Sequence, residues 1–176
     1  IGLTSVTINV TDVNEFNPTV SGGPFSVAEN SANGTSVGTV SGVDGDATNG
    51  VLSYSITGGN SLGIFAIDSS TGTITVADKT NLDRETIALV TLTVQVSDNG
   101  PGAARIGTTD VTINVIDVNE FNPTISGGPF SVAENLANGT SVGSVSGADG
   151  DATNGGLSYS ITGGNSLGIF AIDSST

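Results

Sequence analysis

The segments "VTLTVQVSD", Val90 to Asp98, and "TTDVTINVID", Thr108 to Asp117, decide the fold of this chain. In both segments aliphatic residues alternate with polar ones, so one face is apolar and the other is rich in Thr, Gln, Asn or Asp. Such alternation is typical of a half-buried β-strand, because successive side chains point to opposite faces of a sheet. Each segment therefore predicts a long strand whose aliphatic face covers a core.

Shorter strand candidates precede these two segments and are separated from each other by turns. Residues that tolerate positive φ angles stand between them, in the pairs Asn33-Gly34, Asp44-Gly45, Gly58-Gly59 and Thr71-Gly72. The predicted strands lie near Phe25–Ala28, Ser36–Val43, Leu52–Thr57, Ile64–Ile67, Thr73–Val76, Val90–Ser97 and Gly107–Ile116. Seven short strands in about 100 residues predict an all-β fold, a seven-stranded antiparallel Greek-key sandwich of immunoglobulin-like architecture.

The composition excludes several classes of function. Among 176 residues, 3 are basic and 17 are acidic, which gives a formal net charge of −14. Nucleic acids and anionic membranes are bound through clustered Lys and Arg, so we expect the chain to bind neither. No apolar run approaches the roughly 18 to 20 residues of a membrane span, so we expect no direct membrane insertion. The chain has no Cys and no His. It therefore lacks disulfides, thiolate or imidazole metal ligands, and the usual general base of enzymes at neutral pH.

An internal repeat sets the domain organisation. The string "DVNEFNP" begins at Asp12 and again at Asp117, 105 residues later, and residues 19–71 match residues 124–176 at all but five positions. Near-identical copies at a fixed period indicate a tandem array. We predict the last strand and linker of one repeat in residues 1–18, a complete repeat with its linker in 19–123, and the first half of a following repeat in 124–176. Because a half repeat has unpaired strand edges, we expect a longer polypeptide or a second chain to complete it.

The acidic residues gather near the predicted strand ends and in loops. Taken singly, each is a typical solvated turn residue. Two carboxylates about 4 Å apart, however, repel by about 1 kcal/mol in bulk water and by several times more near a protein surface. The three basic side chains are too few to neutralise such a group, whereas Ca²⁺ takes about six to eight oxygen ligands from carboxylates, amides and carbonyls. Grouped acids at the ends of a sandwich would therefore favour a calcium site.

These features together resemble the cadherin repeat family. The resemblance covers the whole unit and is carried, in order, by "FSVAENSANGTSVGTVSGVDGD", "LSYSITGGNSLGIFAIDSSTGTITV", "LDRE", "VTLTVQVSDNGPG" and "VTINVIDVNEFNP". It implies seven-stranded sandwiches joined end to end, with up to three Ca²⁺ ions in each linker. It also implies that "DVNEFNP" is the hinge between successive domains.

The resemblance implies a set of metal ligands for each linker. For the second linker these are the side chains of Glu29, Asp83, Glu85, Asn119, Glu120, Asp149 and Asp151, the carbonyls of Val118 and Phe121, and a carbonyl near Asn154. For the first linker they are the side chains of Asn14, Glu15, Asp44, Asp46 and Asp98 and the carbonyl of Phe16. The chain departs from the family pattern "DxNDN", since Glu replaces Asp at positions 15 and 120 and Phe replaces Asn at positions 16 and 121. Glu is one methylene longer than Asp, which affects the number of ions expected in each linker or their affinity.

The function predicted from these residues is that of a calcium-rigidified extracellular or cell-surface array, acting as an adhesin stalk, a spacer or a filament subunit. By resemblance alone, near-identical copies favour a bacterial surface adhesin. Expected partners are neighbouring repeats, other copies in a fibre, or cell-surface ligands. The acid pair of "DGD" could serve a glycosidase, but it recurs unchanged, and we predict no enzymatic activity. Calcium-dependent carbohydrate binding is the alternative, with Phe16 and Phe121 as candidate exposed rings and Phe25, Tyr54 and Phe65 expected in the core.

Overall fold

The computed structural model of the chain describes residues 2–46, 51–151 and 155–175. It divides into two compact units, Ile1–Ile116 and Asp117–Thr176. In the first unit the described elements are a short 3₁₀ helix, Lys79–Asn81, and the strands β1 (Thr19–Ser21), β2 (Phe25–Ala28), β3 (Ser36–Thr39), β4 (Ser41–Val43), β5 (Ser53–Gly58), β6 (Phe65–Ile67), β7 (Thr73–Val76), β8 (Leu89–Ser97) and β9 (Ile106–Ile116). Among the described residues, no helix is long and apolar enough to cross a membrane.

Two sheets form the sandwich of the first unit. One has four strands in the order β2-β9-β8-β5, the other has three in the order β3-β7-β6, and β1 pairs separately with β4. The pairing of β2 with β9 is parallel, whereas the other pairings are antiparallel, as expected from the sequence. The all-β sandwich is thereby confirmed, with one parallel pair that the strand pattern did not predict.

The core follows the alternation that the sequence displays. In β8, Val90, Leu92, Val94 and Val96 are buried, while the intervening Thr and Gln side chains are partly or fully exposed. The ring of Phe65 is buried, and Phe25 and Tyr54 are partly buried and packed against the core, as expected. Burying the aliphatic faces of both sheets removes apolar area from water, at about 25 cal/mol per Å², and so stabilises the sandwich.

The single strand predicted over Ser36–Val43 is wrong, because the chain divides there into β3 and β4. Val40, between the two strands, is 1% exposed and its N–H donates to the carbonyl of Gly72 at 3.0 Å. The pairing of β3 with β7 also shifts register between Ser36 and Gly38. With Val40 turned into the core, the chain leaves one sheet and pairs with β1. The three-residue β1 was not predicted, since it is too short to show a period.

Gly107 allows β9 to approach the segment that connects the linker to β1. A Cβ atom at Gly107 would collide with the carbonyl oxygen of Pro18. Only glycine leaves space for this contact, so the side of β9 is in direct backbone contact with the end of the linker. The position of residues 12–18 on the first unit depends on this approach.

The second unit repeats part of this arrangement. Strands β10 (Thr124–Ser126) and β11 (Ser146–Ala148) pair antiparallel, with Thr124 opposite Ala148, as Thr19 lies opposite Val43 in the first unit. The rings of Phe130 and Phe170 are 46% and 47% exposed. In the first unit Phe25 pairs with Ile113 of β9 and Phe65 with Val76 of β7, and the positions 105 residues after these two partners fall outside the 176 residues of the sequence.

Candidate metal centres

The first candidate centre lies at the upstream end of the first unit, where β8 ends and β9 begins. Asp98 follows the last residue of β8 and is completely buried. Its Oδ1 accepts hydrogen bonds from Nδ2 of Asn14 at 3.0 Å and from the backbone N–H of Arg105 at 3.0 Å. Nδ2 of Asn14 also donates to the carbonyl of Ala103 at 3.1 Å. The buried Asn14 thus ties the linker to the loop between β8 and β9.

Hydrogen bonds keep the buried Asp98 ionised. The backbone N–H of Arg105 is the main cause that lowers the pKa of Asp98 below its usual value, and the Asn14 amide adds to this effect, while burial opposes it. Hydrogen bonds to the charged form favour that form even in a desolvated place. The loop therefore presents a carboxylate, which is the form that a metal ion binds.

The "DGD" loop is also hydrogen bonded to the linker. The Asp46 carboxylate accepts the N–H groups of Glu15 at 3.3 Å and Phe16 at 3.2 Å, and the N–H of Asp46 donates to Oδ1 of Asp44 at 3.1 Å. The Phe16 ring, 53% exposed, lies on Gly45, where an added Cβ would meet its Cγ at 3.0 Å. Asp44 and Asp46 thus lie beside the linker, and their role as ligands stays a prediction.

The oxygens of this upstream group fit a hard cation. Buried oxygens without a protein donor include Oδ1 of Asn14, Oδ2 of Asp44 and Oδ2 of Asp98. Burying a polar oxygen without a partner costs roughly 1–3 kcal/mol. Amide and carboxylate oxygens are the ligands that Ca²⁺ prefers, at distances of about 2.3–2.6 Å. The donor set at the upstream end therefore suits calcium and lacks the sulfur and imidazole ligands of zinc.

The second candidate centre lies at the downstream end of the first unit, where β2 and β9 end. Carboxylate oxygens of Glu29, Asp83 and Glu85 all lie within 4.8 Å of one another. Glu29 is 2% exposed, its N–H donates to the carbonyl of Ile116 at 2.9 Å, and its Oε2 accepts the N–H of Arg84 at 2.7 Å. The end of the β2–β9 pair therefore holds a buried carboxylate beside the "LDRE" loop.

The "LDRE" loop fixes the other two acids by local hydrogen bonds. Oδ1 of Asp83 accepts the N–H of Glu85 at 3.0 Å, and Oδ2 accepts the hydroxyl of Thr86 at 2.8 Å. The Thr86 hydroxyl is the main cause that lowers the pKa of Asp83, against a smaller opposing effect of desolvation. Three carboxylates so close together repel, and a divalent ion would relieve that repulsion.

The two centres of the first unit lie at opposite ends of one strand. β8 runs from Leu89, paired with Asn114 near the downstream end, to Ser97, paired with Ile106 at the upstream end. Its nine residues place the ends about 27 Å apart at roughly 3.4 Å per residue. The predicted acids of the first unit therefore form two separate groups.

The second unit repeats the contact between the linker and the "DGD" loop. Oδ1 of Asp151 accepts the N–H groups of Glu120 at 3.0 Å and Phe121 at 3.3 Å, and the N–H of Asp151 donates to Oδ1 of Asp149 at 3.4 Å. Oδ2 of Asp151 is buried without a protein donor. The same residues thus make the same contacts in both copies.

Not every predicted ligand is placed in this way. Asn119 and Val118 are exposed, whereas Asn14, the counterpart of Asn119, is buried against Asp98. A counterpart of Asp98 for the second linker is absent from the 176 residues. The carbonyl expected near Asn154 lies outside the described residues.

Sequence reasoning missed Arg105 as part of the upstream centre. Its Nε donates to the carbonyl of Asn14 at 2.7 Å, and its Nη1 donates to Oδ1 of Asn17 at 3.2 Å. The available signal was its place in a loop that follows Asp98, as one of only three basic residues of the chain.

Comparisons with known proteins find similar sequences and structures. A family model described as Cadherin domain matches residues 24–116. The sequence is 39% identical over 179 residues to Protocadherin Fat 4 of Mus musculus, covering 98% of this chain and 4% of that protein. It is 36% identical over 180 residues to Cadherin-23 of Homo sapiens, covering 98% of this chain and 5% of that protein. The chain therefore spans a small fraction of the length of these two relatives.

Solved structures of a cadherin and a protocadherin are similar to this chain. The crystal structure of mouse Cadherin-23 EC22-24 superposes with a TM-score of 0.75 at 32% identity, over 94% of this chain and 54% of that one. The Protocadherin gammaB7 EC3-6 cis-dimer structure superposes with a TM-score of 0.84 at 26% identity, over 98% of this chain and 45% of that one.

Proposed function

Because this chain belongs to the cadherin domain family, we propose that it is part of a tandem array whose linkers are stiffened by Ca²⁺. In this role it serves as an adhesin stalk, a cell-surface spacer or a filament subunit. Cadherins are adhesion proteins rather than enzymes, and they lie outside the cell or on its surface. The extracellular location expected from the sequence is thus confirmed. The bacterial source stays a prediction, and the relatives named above come from mouse and human.

The observation that carries the proposal is the group of buried oxygens at the upstream end. Asn14, Asp44 and Asp98 each bury an oxygen that has no protein donor, and all three are positions at which the family pattern implies a ligand. Cadherin domains bind Ca²⁺ at their linkers. The "DVNEFNP" string, the upstream acids and the downstream acids of the first unit supply oxygen ligands, which are the kind that Ca²⁺ prefers. The number of ions, up to three per linker, belongs to the proposal.

The residues that would hold the ions fall into two sets. At the upstream end they are Asn14, Glu15, the Phe16 carbonyl, Asp44, Asp46 and Asp98. The second set comprises Glu29, Asp83 and Glu85 in the first unit and, in the second unit, the Val118 and Phe121 carbonyls, Asn119, Glu120, Asp149 and Asp151. Bound calcium would neutralise these acids and join linker to domain.

The chain's own contacts prepare the linker for this role. Asp46 and Asp151 each accept hydrogen bonds from two consecutive N–H groups of the linker. These bonds fix the linker backbone on the "DGD" loop without any metal ion. Neutralising the repulsion between the acids then limits the angles that the hinge can adopt. A flexible string of sandwiches becomes a rod. At the affinities of extracellular modules, about 10⁻⁴ to 10⁻³ M, such a hinge would be loaded outside the cell.

The test is small-angle scattering on a polypeptide that repeats residues 19–123 in tandem. We expect the maximum dimension to become sharply defined as Ca²⁺ rises to about 1 mM and to blur after chelation, with the midpoint in the range of extracellular sites. A matched polypeptide with Asp44→Asn and Asp46→Asn in every repeat should show a much weaker response. A scattering profile that does not change with the Ca²⁺ concentration would refute the calcium hinge.

Carbohydrate binding is the second candidate, favoured by the half-exposed Phe16 and Phe121. One face of each ring, however, lies on a glycine, at Gly45 and Gly150, in both copies. This repeated contact supports a packing role for the rings within the linker. Binding to a glycan array in Ca²⁺ that is lost in Phe16→Ala would support the sugar site instead.

A further inference from the structure

The linker is attached to the upstream end by an arginine as well as by acids. Arg105, partly buried, lies at the end of the loop that follows Asp98, just before β9. Its Nε and Nη1 donate to two acceptors three residues apart in the linker, the carbonyl of Asn14 at 2.7 Å and Oδ1 of Asn17 at 3.2 Å. One guanidinium therefore spans the linker segment from Asn14 to Asn17.

The same residue also fixes the acid beside the linker. The backbone N–H of Arg105 donates to Oδ1 of Asp98, which in turn accepts Nδ2 of Asn14. Gly100 lies against the Asn14 amide, where an added Cβ would come within 2.8 Å of Cγ and Nδ2. Asn14 is therefore held at its carbonyl by Arg105, at its Nδ2 by Asp98 and Ala103, and on one side by the backbone of Gly100.

These contacts determine where the remaining atom of the Asn14 amide points. With Nδ2 engaged by two acceptors, Oδ1 is directed away from them, and it is buried without a donor, as is Oδ2 of Asp98. The Asn14 carbonyl that Arg105 occupies is outside the ligand set given above, so the arginine and a cation do not compete for one atom. Partners behind a ligand orient it and typically account for about a tenfold to hundredfold difference in metal affinity.

We propose that Arg105 is a positioning residue that fastens the linker to the domain independently of metal and thereby presents Oδ1 of Asn14 to the cation. We call Arg105 with Asn14 and Asn17 the arginine clasp. The fastening follows from hydrogen bonds within the chain alone. The presentation of Oδ1 rests on the calcium binding proposed above, and the two parts are measured separately.

The first measurement is amide hydrogen exchange on the 176-residue chain in chelator. Arg105→Met removes the guanidinium but keeps an unbranched apolar stem, and Lys79→Met is the matched control, since it removes one exposed positive charge elsewhere in the unit. Loss of a hydrogen bond to a charged group predicts at least about fivefold faster exchange at the Glu15 and Phe16 amides in Arg105→Met. The Val94 amide in β8 should keep its protection, which shows that the domain stays folded. Equal exchange in the two variants would overturn the clasp.

The second measurement is a calorimetric Ca²⁺ titration of the same variants and of Arg105→Lys. We expect about tenfold weaker binding at the upstream site in Arg105→Met. Arg105→Lys should also bind more weakly than wild type, because an ammonium is a point donor that does not reproduce the planar fork. Tighter binding in Arg105→Met would show that the guanidinium acts only by repelling the cation, and would refute the positioning role. Absence of binding in the wild-type chain would refute the calcium hinge, while the exchange result in chelator would still decide the fastening.

Discussion

Asn14 and Asp98 are 84 residues apart in the sequence, yet Nδ2 of Asn14 lies 3.0 Å from Oδ1 of Asp98 in buried surroundings. One residue belongs to the linker, and the other directly follows the longest antiparallel ladder among the described residues, formed by β8 and β9. The contact makes the linker part of the folded unit. Its strength bears on stability even before any metal binds.

Replacing Asn14 should therefore destabilise the first unit in the absence of metal. Asn14→Ala removes the hydrogen bonds to Asp98 and to the carbonyl of Ala103, and the bond to the ionised partner is the stronger kind. We expect a loss of about 1–3 kcal/mol in the free energy of unfolding. Urea unfolding in chelator measures it, with the exposed Asn9→Ala as the matched control. Equal midpoints for the two variants would contradict the prediction.

A methyl group at position 107 should separate the linker from β9. The new Cβ would collide with the Pro18 carbonyl, a backbone atom that cannot rotate away. Overpacking of this kind typically costs about 1–3 kcal/mol. Gly107→Ala should therefore lower the free energy of unfolding by about 1–3 kcal/mol or more. Gly2→Ala is the control, because no atom lies within 4 Å of its Cβ position. Thermal unfolding of both variants decides the matter, and an unchanged melting temperature for Gly107→Ala would show that the backbone yields without cost.

Removing one acid of the downstream group should have opposite effects with and without calcium. Glu85→Gln lowers the repulsion among Glu29, Asp83 and Glu85, so the chain should be slightly more stable in chelator. In saturating Ca²⁺ it should be less stable than wild type, since a tenfold loss of affinity removes about 1.4 kcal/mol of stabilisation. Thermal unfolding in chelator and in Ca²⁺ measures both effects.

The control for this pair of measurements is Asp110→Asn, a substitution on β9 outside both acid groups, where Oδ1 accepts the hydroxyl of Thr93. Its effect should be the same in chelator and in Ca²⁺. If Glu85→Gln shifts the melting temperature in one direction under both conditions, the downstream acids are not ligands.

Asp68 should make stability depend on pH in the acid range. Asp68 lies in the turn between β6 and β7, where its pKa is lowered from 3.8 to about 2. The main cause is the hydrogen bond from the Ser70 hydroxyl, and the N–H groups of Thr71 and Ser70 add to it. Because the folded state has the lower pKa, the stabilisation is complete above the ordinary value and is lost as pH falls toward about 2. The difference in unfolding free energy between wild type and Asp68→Ala should thus shrink between about pH 5 and pH 2.

The Ser70→Ala variant tests the cause of this shift. Losing the hydroxyl that lies 2.6 Å from Oδ1 of Asp68 should raise the pKa of Asp68, as read from an NMR titration of its carboxyl carbon. A difference between wild type and Asp68→Ala that stays constant with pH would show that Asp68 acts only through packing.

The sequence predicts the elements whose pattern is local. β2 and β7 have the predicted bounds, and β8 begins one residue earlier than predicted, because their alternation is set by the two faces of a sheet. The change at Val40 from the sheet of β3 to the pair of β4 with β1 could not be predicted. An alternation of apolar and polar residues does not show with which strand each part of the segment pairs. Leu82 is completely buried although it lies in no strand, and a single apolar residue in a loop carries no such signal.

The same division applies to the candidate site. The motifs that resemble the family predict the acids as ligands, and this stays a prediction, while the structure places Asp46 in hydrogen-bond contact with the linker and Asp44 beside it. The role of Arg105 could not be predicted, because it depends on the distance between a loop and a linker that are about 90 residues apart in the sequence. Composition indicated that cations are scarce, but it could not indicate that one of them is hydrogen bonded to the hinge.

The parallel pairing of β2 with β9 has a mechanical consequence. The chain enters the first unit at the upstream end through β1 and leaves it at the downstream end through Ile116, while Phe25–Ala28 lie beside Ile113–Ile116 in the same direction. Tension on the two ends would therefore pull these neighbouring strands past each other along their length. Their hydrogen bonds would be loaded together, as in shear, and would not open one after another. A domain joined in this way resists extension at the strands where the chain enters and leaves.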